Sequence, residues 1–133
     1  MSGVHFLVGI STKDYVILAA DRSSFAHGFL VVADDQGKKF TLGDRLAMLC
    51  MGEGGDVAQF GDWCMRNIQL YKLRYGYEIS PRASHHWIRR GIAEALRTED
   101  YYTVDALIGG YDTIEKKAFL GSVDYLGNGI ADQ

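Results

Sequence analysis

The order of hydrophobic and polar positions along the chain predicts strands first, then two helices, then strands again. A short apolar run, 4–10, breaks at the polar residues 11–14, and a second apolar run, 15–20, follows. Two such runs around a tight polar turn predict a β-hairpin. Because the second run is apolar at successive positions rather than at alternate ones, we expect both faces of its strand to be covered.

Further apolar runs are bounded by turn residues such as Gly43-Asp44. The stretches 29–33 and 39–42 flank the polar turn 34–37, and the turn 112–116 joins the last two runs. The strands predicted from these runs are 29–33, 39–42, 45–51, 104–111 and 117–124.

Two helices are predicted between the strands, because apolar residues recur there at steps of three and four. Asp56 is the expected N-cap of the first helix, and Gly76 suits the left-handed position after its end. Ser80 and Pro81 suit the N-cap and first position of the second helix. The expected buried stripes are Val57, Phe60, Cys64, Ile68, Tyr71 and Tyr75 in the first helix, and Ala83, Trp87, Ile88, Ile92, Ala95 and Leu96 in the second.

This order of elements favours an α+β fold, with two groups of strands stacked face to face and helices outside. Strands and helices would alternate in a doubly wound fold. The chain has one proline, Pro81, and neither a low-complexity linker nor an internal repeat. We therefore expect a single domain over residues 1–133.

Composition narrows the classes of function. The chain has 133 residues, 47% of them hydrophobic, which is enough for one core. Its net charge of −3 argues against binding to nucleic acid or to an anionic membrane surface. No apolar run reaches the ~20 residues of a membrane span, and residues 1–5 do not resemble a secretory signal. We expect a soluble intracellular protein.

The two cysteines, Cys50 and Cys64, each lie in an apolar segment without CxxC spacing. We interpret them as buried free thiols rather than zinc ligands or a disulfide, which suits a reducing compartment. His85 and His86 are sequence neighbours that would diverge on a helix, so we interpret them as surface or interface residues. Asp34 and Asp35 lack further alternating ligands, so a solvated turn is expected there rather than a calcium site. No cofactor or metal is predicted.

Several stretches resemble the proteasome β-subunit family, in the same order along the chain. The resemblance runs from about Phe6 to Leu126 and is closest to a non-catalytic branch of that family. It is carried by YVILAADR at 15–22, DDQGKKF at 34–40, LCMGEGGDVAQF at 49–60, NIQLYKLRYGYEISP at 67–81, LIGGYD at 107–112 and VDYLG at 123–127.

The resemblance implies a four-layer αββα sandwich of the N-terminal-nucleophile hydrolase type, here lacking its C-terminal part. In active members an N-terminal threonine attacks the peptide carbonyl, and its own amine serves as the base. An aspartate, a lysine and a glycine amide support it. The matching positions are Asp21, Lys39 and Gly52, and the nucleophile's place falls on His5.

Histidine cannot act as an N-terminal hydroxyl nucleophile, so the catalytic apparatus is interpreted as absent. Ser2 lies three residues too early, which is ~10 Å along an extended strand. The chain also ends before the serine and aspartate that support the nucleophile in active members. We expect Asp21, Arg22 and Lys39 to form buried or half-buried ion pairs instead.

The resemblance implies a structural role in protein degradation, with other proteasome β subunits, the α ring and assembly factors as partners. It implies a location in the cytoplasm and nucleus. Interface candidates are Tyr75 and Tyr77, together with three residues off the main apolar stripe for which core and interface remain equally open, Trp63, Leu70 and Leu73.

Two other functions remain open at this stage. One is a threonine- or serine-type endopeptidase that is active from a processed N-terminus. The other is nucleotide binding at the turn 52–55, although that turn lacks the G-x-G-x-x-G spacing and Glu53 would repel a phosphate.

Overall fold

The computed structural model describes residues 7–20, 24–26, 30–33 and 39–131. The predicted residues His5, Asp21 and Arg22 and the turn 34–37 lie outside these ranges. The elements in chain order are β1 Leu7–Ser11, β2 Val16–Ala20, β3 Ser24–Ala26, β4 Leu30–Ala33, β5 Lys39–Gly43, β6 Leu46–Gly52, α1 Gly54–Tyr75, α2 Pro81–Leu96, β7 Val104–Asp112, β8 Lys117–Val123 and β9 Gly129–Ala131.

A five-stranded antiparallel sheet is the centre of the structure, with strand order β5-β6-β7-β8-β9. The strands β6 and β7 pair directly although both helices lie between them in the chain. The predicted first hairpin is confirmed as β1–β2, in which Ile10 lies opposite Ile17. Its turn is closed by Thr12, whose side chain accepts a hydrogen bond from the Tyr15 backbone N–H.

The elements stack in layers, which confirms the predicted α+β sandwich. On one face of the large sheet, α1 packs against β5 and β6 while α2 packs against β7, β8 and β9. On the other face the β1–β2 hairpin packs against β6, β7 and β8. The core between helices and sheet includes the fully buried side chains of Met48, Phe60, Ile88, Ile92 and Ile108.

Glycines bring the hairpin and the large sheet close together. A Cβ on Gly9 would lie 2.7 Å from Leu120 Cδ1, and one on Gly109 would lie 3.1 Å from Leu18 Cδ1. The leucine side chains therefore occupy the space that a larger residue at Gly9 or Gly109 would need. The close contact between the two sheets therefore depends on glycine at positions 9 and 109, where a leucine side chain of the other sheet fills the space.

The outer face of the hairpin is exposed, which differs from the prediction that both faces of its second strand are covered. Burial alternates along β2, and 48% of Ile17 is accessible to solvent. Its neighbours on that face, Val8 and Ile10, are 49% and 53% exposed. The expectation holds instead for β6, which lies between the helices and the hairpin.

The helix ends follow the prediction at three of four positions. Gly76 is left-handed, with φ 79°, and its N–H donates to the Lys72 carbonyl. Ser80 caps α2, because its side chain accepts from the Ala83 N–H, and Pro81 is the first helical residue. The prediction for Asp56 is wrong. Glu53 is the N-cap of α1, without a side-chain hydrogen bond, and Asp56 lies inside the first turn.

The buried side of α2 is rotated relative to the prediction. Ala83 is exposed, whereas Ser84 and His85 are buried. The interpretation of His85 as a surface residue is therefore wrong, although His86 is exposed. The helix lies on β8 and β9, where Gly121 leaves room for the imidazole of His85: a Cβ there would lie 2.7 Å from Cδ2.

Two strand assignments also differ. The strand β4 pairs with β3, a strand that the sequence pattern does not show, rather than with β5. The short strand β9 adds an edge to the large sheet and was likewise not predicted. None of the helices in the described part of the chain is long and apolar enough to cross a membrane.

Candidate functional site

Lys39, which the resemblance matches to the family's lysine, lies at the start of the edge strand β5. Its backbone lies opposite Leu49 of β6, and its side chain is exposed. This exposure contradicts the expectation that Lys39 takes part in a buried or half-buried ion pair. Since Asp21 and His5 lie outside the described residues, the structure does not test whether these three residues meet.

An open groove of about 580 Å³ runs beside Lys39, between the turn of the first hairpin and the β5–β6 turn. Two bases and two acids line it together with two tyrosines, so its charges balance: Lys39, Arg45, Asp14, Asp44, Tyr15 and Tyr111. The groove therefore favours neither an anion nor a cation by net charge.

Gly52, the position matched to the oxyanion glycine, has a structural reason to be glycine. It ends β6 opposite Val104, and its φ of 149° is one that other residues rarely adopt. A Cβ at this position would lie 2.0 Å from the Thr103 carbonyl oxygen. The close approach of β6 to the segment before β7 thus requires glycine whether or not the residue supports catalysis.

A hydrogen bond of Asp56 connects the start of α1 to the segment before β7. Its Oδ2 accepts a hydrogen bond from the Thr103 N–H at 3.0 Å, while the Glu53 N–H donates to the Thr103 carbonyl at 3.3 Å. The backbone of Thr103 is therefore held from both sides. This arrangement argues against a phosphate site at 52–55, since the amide of Glu53 is used and two carboxylates, Glu53 and Asp56, lie at the helix start.

The two cysteines are buried and free, as predicted. Burial raises the pKa of Cys50 to about 12. Burial also raises the pKa of Cys64, and the neighbouring Cys50 adds to the effect. Because the thiolate is the nucleophilic form, neither residue is activated at neutral pH. Among the described residues, no group of three or more His, Cys, Asp or Glu side chains is placed to hold a metal ion.

A second set of candidate residues lies on the two helices and on the segment between them, and we name it the aromatic face. It consists of the five predicted interface residues together with Tyr71 and Trp87. Trp63 is 37% exposed and stacks on Trp87 with ring centroids 4.7 Å apart. Trp63 therefore contributes both to helix packing and to the surface.

The other predicted interface residues are more exposed. Leu73 is 73% exposed and Tyr75 and Tyr77 are each 60% exposed, while Leu70 is exposed to a smaller extent. Leu70 and Tyr75 border a groove of about 180 Å³ between the helices, together with Tyr71 and Trp87. These exposures fit an interface, but no partner is present to test the prediction.

Tyr71 also belongs to this face, although the sequence pattern places it in the buried apolar stripe of the first helix. Its hydroxyl donates to the Tyr77 hydroxyl at 3.3 Å. This hydrogen bond, then desolvation and the nearby tyrosines, raise the pKa of Tyr71. The sequence signal for the cluster was the i, i+4 spacing of Tyr71 and Tyr75, followed by a helix-ending glycine and one more tyrosine.

Comparisons with known proteins agree with this architecture. A family model described as "Proteasome subunit" matches residues 5–133. Proteasome subunit beta type-2 of Caenorhabditis elegans is 62% identical over 130 residues, which cover 98% of this chain and 65% of that protein. Proteasome subunit beta type-4 of Saccharomyces cerevisiae is 38% identical over 124 residues, which cover 93% of this chain and 62% of that protein.

A plant relative is more distant. Proteasome subunit beta type-2 of Oryza sativa subsp. japonica is 33% identical over 120 residues, which cover 90% of this chain and 55% of that protein. The chain thus spans less than two thirds of the length of each of these relatives. The match of the family model over nearly the whole chain, on a sandwich of the N-terminal-nucleophile hydrolase type, shows that this chain belongs to the proteasome subunit family.

Proposed function

We propose that this chain is a non-catalytic, structural subunit of the β ring of the 20S proteasome core, and so takes part in proteasomal protein degradation. The proposal rests on the match implied by the family resemblance, in which the place of the N-terminal threonine falls on His5. A histidine there supplies no hydroxyl to attack a peptide carbonyl.

The described residues support this role. Both thiols are buried and held in the protonated form by their high pKa values, and the glycine at 52 is explained by packing against Thr103. Lys39 is exposed rather than held in a buried constellation. These features are those of a scaffold rather than of an activated nucleophile.

The proposed partners are other β subunits, the α ring and proteasome assembly factors, with no nucleic acid, membrane or cofactor. The proposed location is the cytoplasm and nucleus, and the proposed unit is a single domain over 1–133. The aromatic face is the surface that we assign to assembly, because it exposes large apolar side chains such as Leu73 and Tyr77.

Peptidase assays test the absence of catalysis. The purified chain should cleave no fluorogenic peptide and should not react with an electrophilic probe directed at N-terminal threonine. The competing proposal, a threonine- or serine-type endopeptidase subunit with a processed N-terminus, rests on the acid–base pair Asp21-Arg22 and on Lys39 being retained. Covalent labelling within the first ten residues of the mature protein would favour that alternative.

Co-purification tests the structural role. The tagged 133-residue chain, expressed in cells of its own source, should co-purify with a particle of many homologous subunits. Leu73→Asp should reduce its incorporation, because it places a charge on an exposed apolar position of the aromatic face. Ile114→Asp is the matched control, since Ile114 is 88% exposed in the β7–β8 turn and is not one of the residues of that face. Equal incorporation of both variants would overturn the assignment of this surface.

A further inference from the structure

Three tyrosine rings meet at the end of α1. Tyr71 and Tyr75 lie one helical turn apart, with ring centroids separated by 4.7 Å and planes tilted by 49°. Gly76 then turns the chain in a left-handed conformation, and Tyr77 returns toward the helix. The centroids of Tyr71 and Tyr77 are 5.8 Å apart, and their planes are nearly perpendicular at 87°.

The hydroxyl groups of Tyr71 and Tyr77 face each other in this arrangement. The Tyr71 hydroxyl donates to the Tyr77 hydroxyl over 3.3 Å. In each ring the two ortho carbons flank the carbon that carries the hydroxyl, so an edge-on pair joined through its hydroxyls also brings ortho carbons near each other. A covalent bond between two ortho carbons places the two hydroxyls side by side, as they already are here.

We propose that Tyr71 and Tyr77 form an oxidative modification site, at which a one-electron oxidant joins their rings into an intramolecular dityrosine. Tyr75 is near enough to be considered, but its ring lies tilted beside Tyr71 rather than joined to it by a hydroxyl hydrogen bond. The pair is also accessible to an oxidant in the unassembled chain, since 60% of Tyr77 is exposed there. Holding two reacting groups in a suitable geometry raises the rate of an intramolecular coupling.

The chemistry balances with a peroxidase and hydrogen peroxide as the oxidant. Each phenol gives up one electron and one proton, which yields two phenoxyl radicals. The radicals couple through their ortho carbons to form one carbon–carbon bond, and the two ring hydrogens then move to the oxygens to restore both hydroxyls. The protein loses two hydrogen atoms in total, and one hydrogen peroxide is reduced to two water molecules.

The proton that Tyr71 loses on oxidation is the one that it donates to its neighbour. The raised pKa of Tyr71 means that the phenol is protonated at neutral pH, so oxidation must remove the proton together with the electron. The oxygen of Tyr77 already accepts that hydrogen in the hydrogen bond. The hydrogen bond therefore holds the two oxygens together until oxidation, and the proton is then released to solvent.

The test is oxidation of the dilute 133-residue chain by peroxidase and hydrogen peroxide. We expect the blue fluorescence of dityrosine in monomeric protein and a mass lower by two hydrogen atoms. Trypsin cleaves after Arg66, Lys72, Arg74 and Arg82, so the cross-link should join the peptides 67–72 and 75–82 into one species.

Matched variants identify the pair. Tyr71→Phe and Tyr77→Phe should each lose the intramolecular cross-link, because each removes one phenol and leaves the ring. Tyr75→Phe should keep it, which distinguishes the proposed pair from coupling of Tyr71 to Tyr75 within the same two peptides. The cross-link should also be lost when the parent is oxidised in denaturant, since the approach of the hydroxyls is then gone.

Three results would overturn the proposal. They are a cross-link that persists in Tyr77→Phe, dityrosine found only between chains or at other tyrosines, and an equal yield in native and denatured protein. A circular dichroism spectrum and a melting temperature close to those of the parent would show that each variant is folded.

Discussion

At the scale of single residues, Gly52 is the position most sensitive to an added methyl group. A Cβ there would lie 2.0 Å from the Thr103 carbonyl oxygen, and φ is 149°. Gly52→Ala should therefore lower the free energy of unfolding by at least about 1–3 kcal/mol, the cost of a strained backbone conformation. The midpoint of chemical denaturation measures this loss.

Gly55→Ala is the matched control for Gly52→Ala. A Cβ at Gly55 meets nothing within 4 Å, and the residue lies in the first turn of α1. Because alanine favours a helix by roughly 0.5–1 kcal/mol over glycine, this variant should be as stable as the parent or more stable. A loss of similar size in both variants would contradict the special role of Gly52.

Asp105 gives a prediction with a pH dependence. Desolvation raises its pKa above the ordinary value of 3.8, and Asp124 adds to this, although a hydrogen bond from the Tyr125 N–H acts in the opposite direction. The native state therefore binds the proton more tightly than the unfolded state, and stability falls as pH rises through the window between 3.8 and the raised pKa.

Asp105→Asn removes the charge and keeps an oxygen to accept from Tyr125. The variant should be more stable than the parent at pH 7, and the difference should shrink as the pH falls toward 3.8. Urea denaturation at several pH values measures it. A difference that is the same at every pH would contradict the prediction.

Residues whose role is local were predictable, and those with distant partners were not. Gly76 and Ser80 act on backbone groups a few residues away, so their types alone indicate their roles. Asp56 has a suitable residue type for a cap, but its partner Thr103 lies on another element. His85 is buried because Gly121 and the carbonyl of Ser122 receive it, and nothing near His85 in the sequence shows this.

At the scale of elements, the start of α2 offers a direct test. The Ser80 side chain accepts from the Ala83 N–H at 3.2 Å, so Ser80→Ala leaves one amide at the helix start without that partner. We expect a loss of about 1 kcal/mol in the free energy of unfolding. Ser80→Asp is the control, since aspartate also accepts at this position. A destabilisation by Ser80→Asp equal to that by Ser80→Ala would contradict the capping role.

The long elements were predictable because their periodicity repeats, whereas the short strands were not. Both helices and the strands β6, β7 and β8 contain enough residues to show a pattern. The strand β9 has three residues, and only its pairing with β8 makes it a strand. Pairing of β4 with β3 rather than with β5 is equally a matter of tertiary structure.

At the scale of the whole molecule, the outer face of the β1–β2 hairpin leads to a solution property. Val8, Ile10 and Ile17 lie together on that face and are about half exposed. Contiguous apolar surface of this kind binds hydrophobic dyes and favours association. The isolated chain should therefore bind ANS in its native state and associate as its concentration rises.

A double substitution tests this prediction. Ile10→Lys with Ile17→Glu should reduce dye binding and association, with little loss in melting temperature, because both side chains point away from the large sheet and the two opposite charges face each other across the hairpin. Leu18→Ala is the contrasting variant, since Leu18 packs over Gly109 and its loss should destabilise the hairpin. A parent chain that is monodisperse and does not bind ANS would contradict the prediction.

The sandwich itself was predictable from the order of elements, because strands, paired helices and strands again leave few ways to bury every apolar stripe. The constellation implied by the family resemblance remains a prediction, since His5 and Asp21 lie outside the described residues. Of the four matched positions, the structure describes only Lys39, whose side chain is exposed, and Gly52, whose backbone conformation favours glycine.

The packing of the hairpin against Leu120 and Gly109 has a consequence for the order of events during folding. The hairpin precedes both helices in the chain, whereas the strands that receive it, β7 and β8, follow them and are synthesised later. The inner face of the hairpin therefore stays uncovered while the helices are synthesised. Docking of the hairpin also closes a long loop, and the entropy cost of closing it comes before any gain from the docked contacts. We therefore expect these contacts to form after the transition state. Leu18→Ala should then speed unfolding more than it slows refolding.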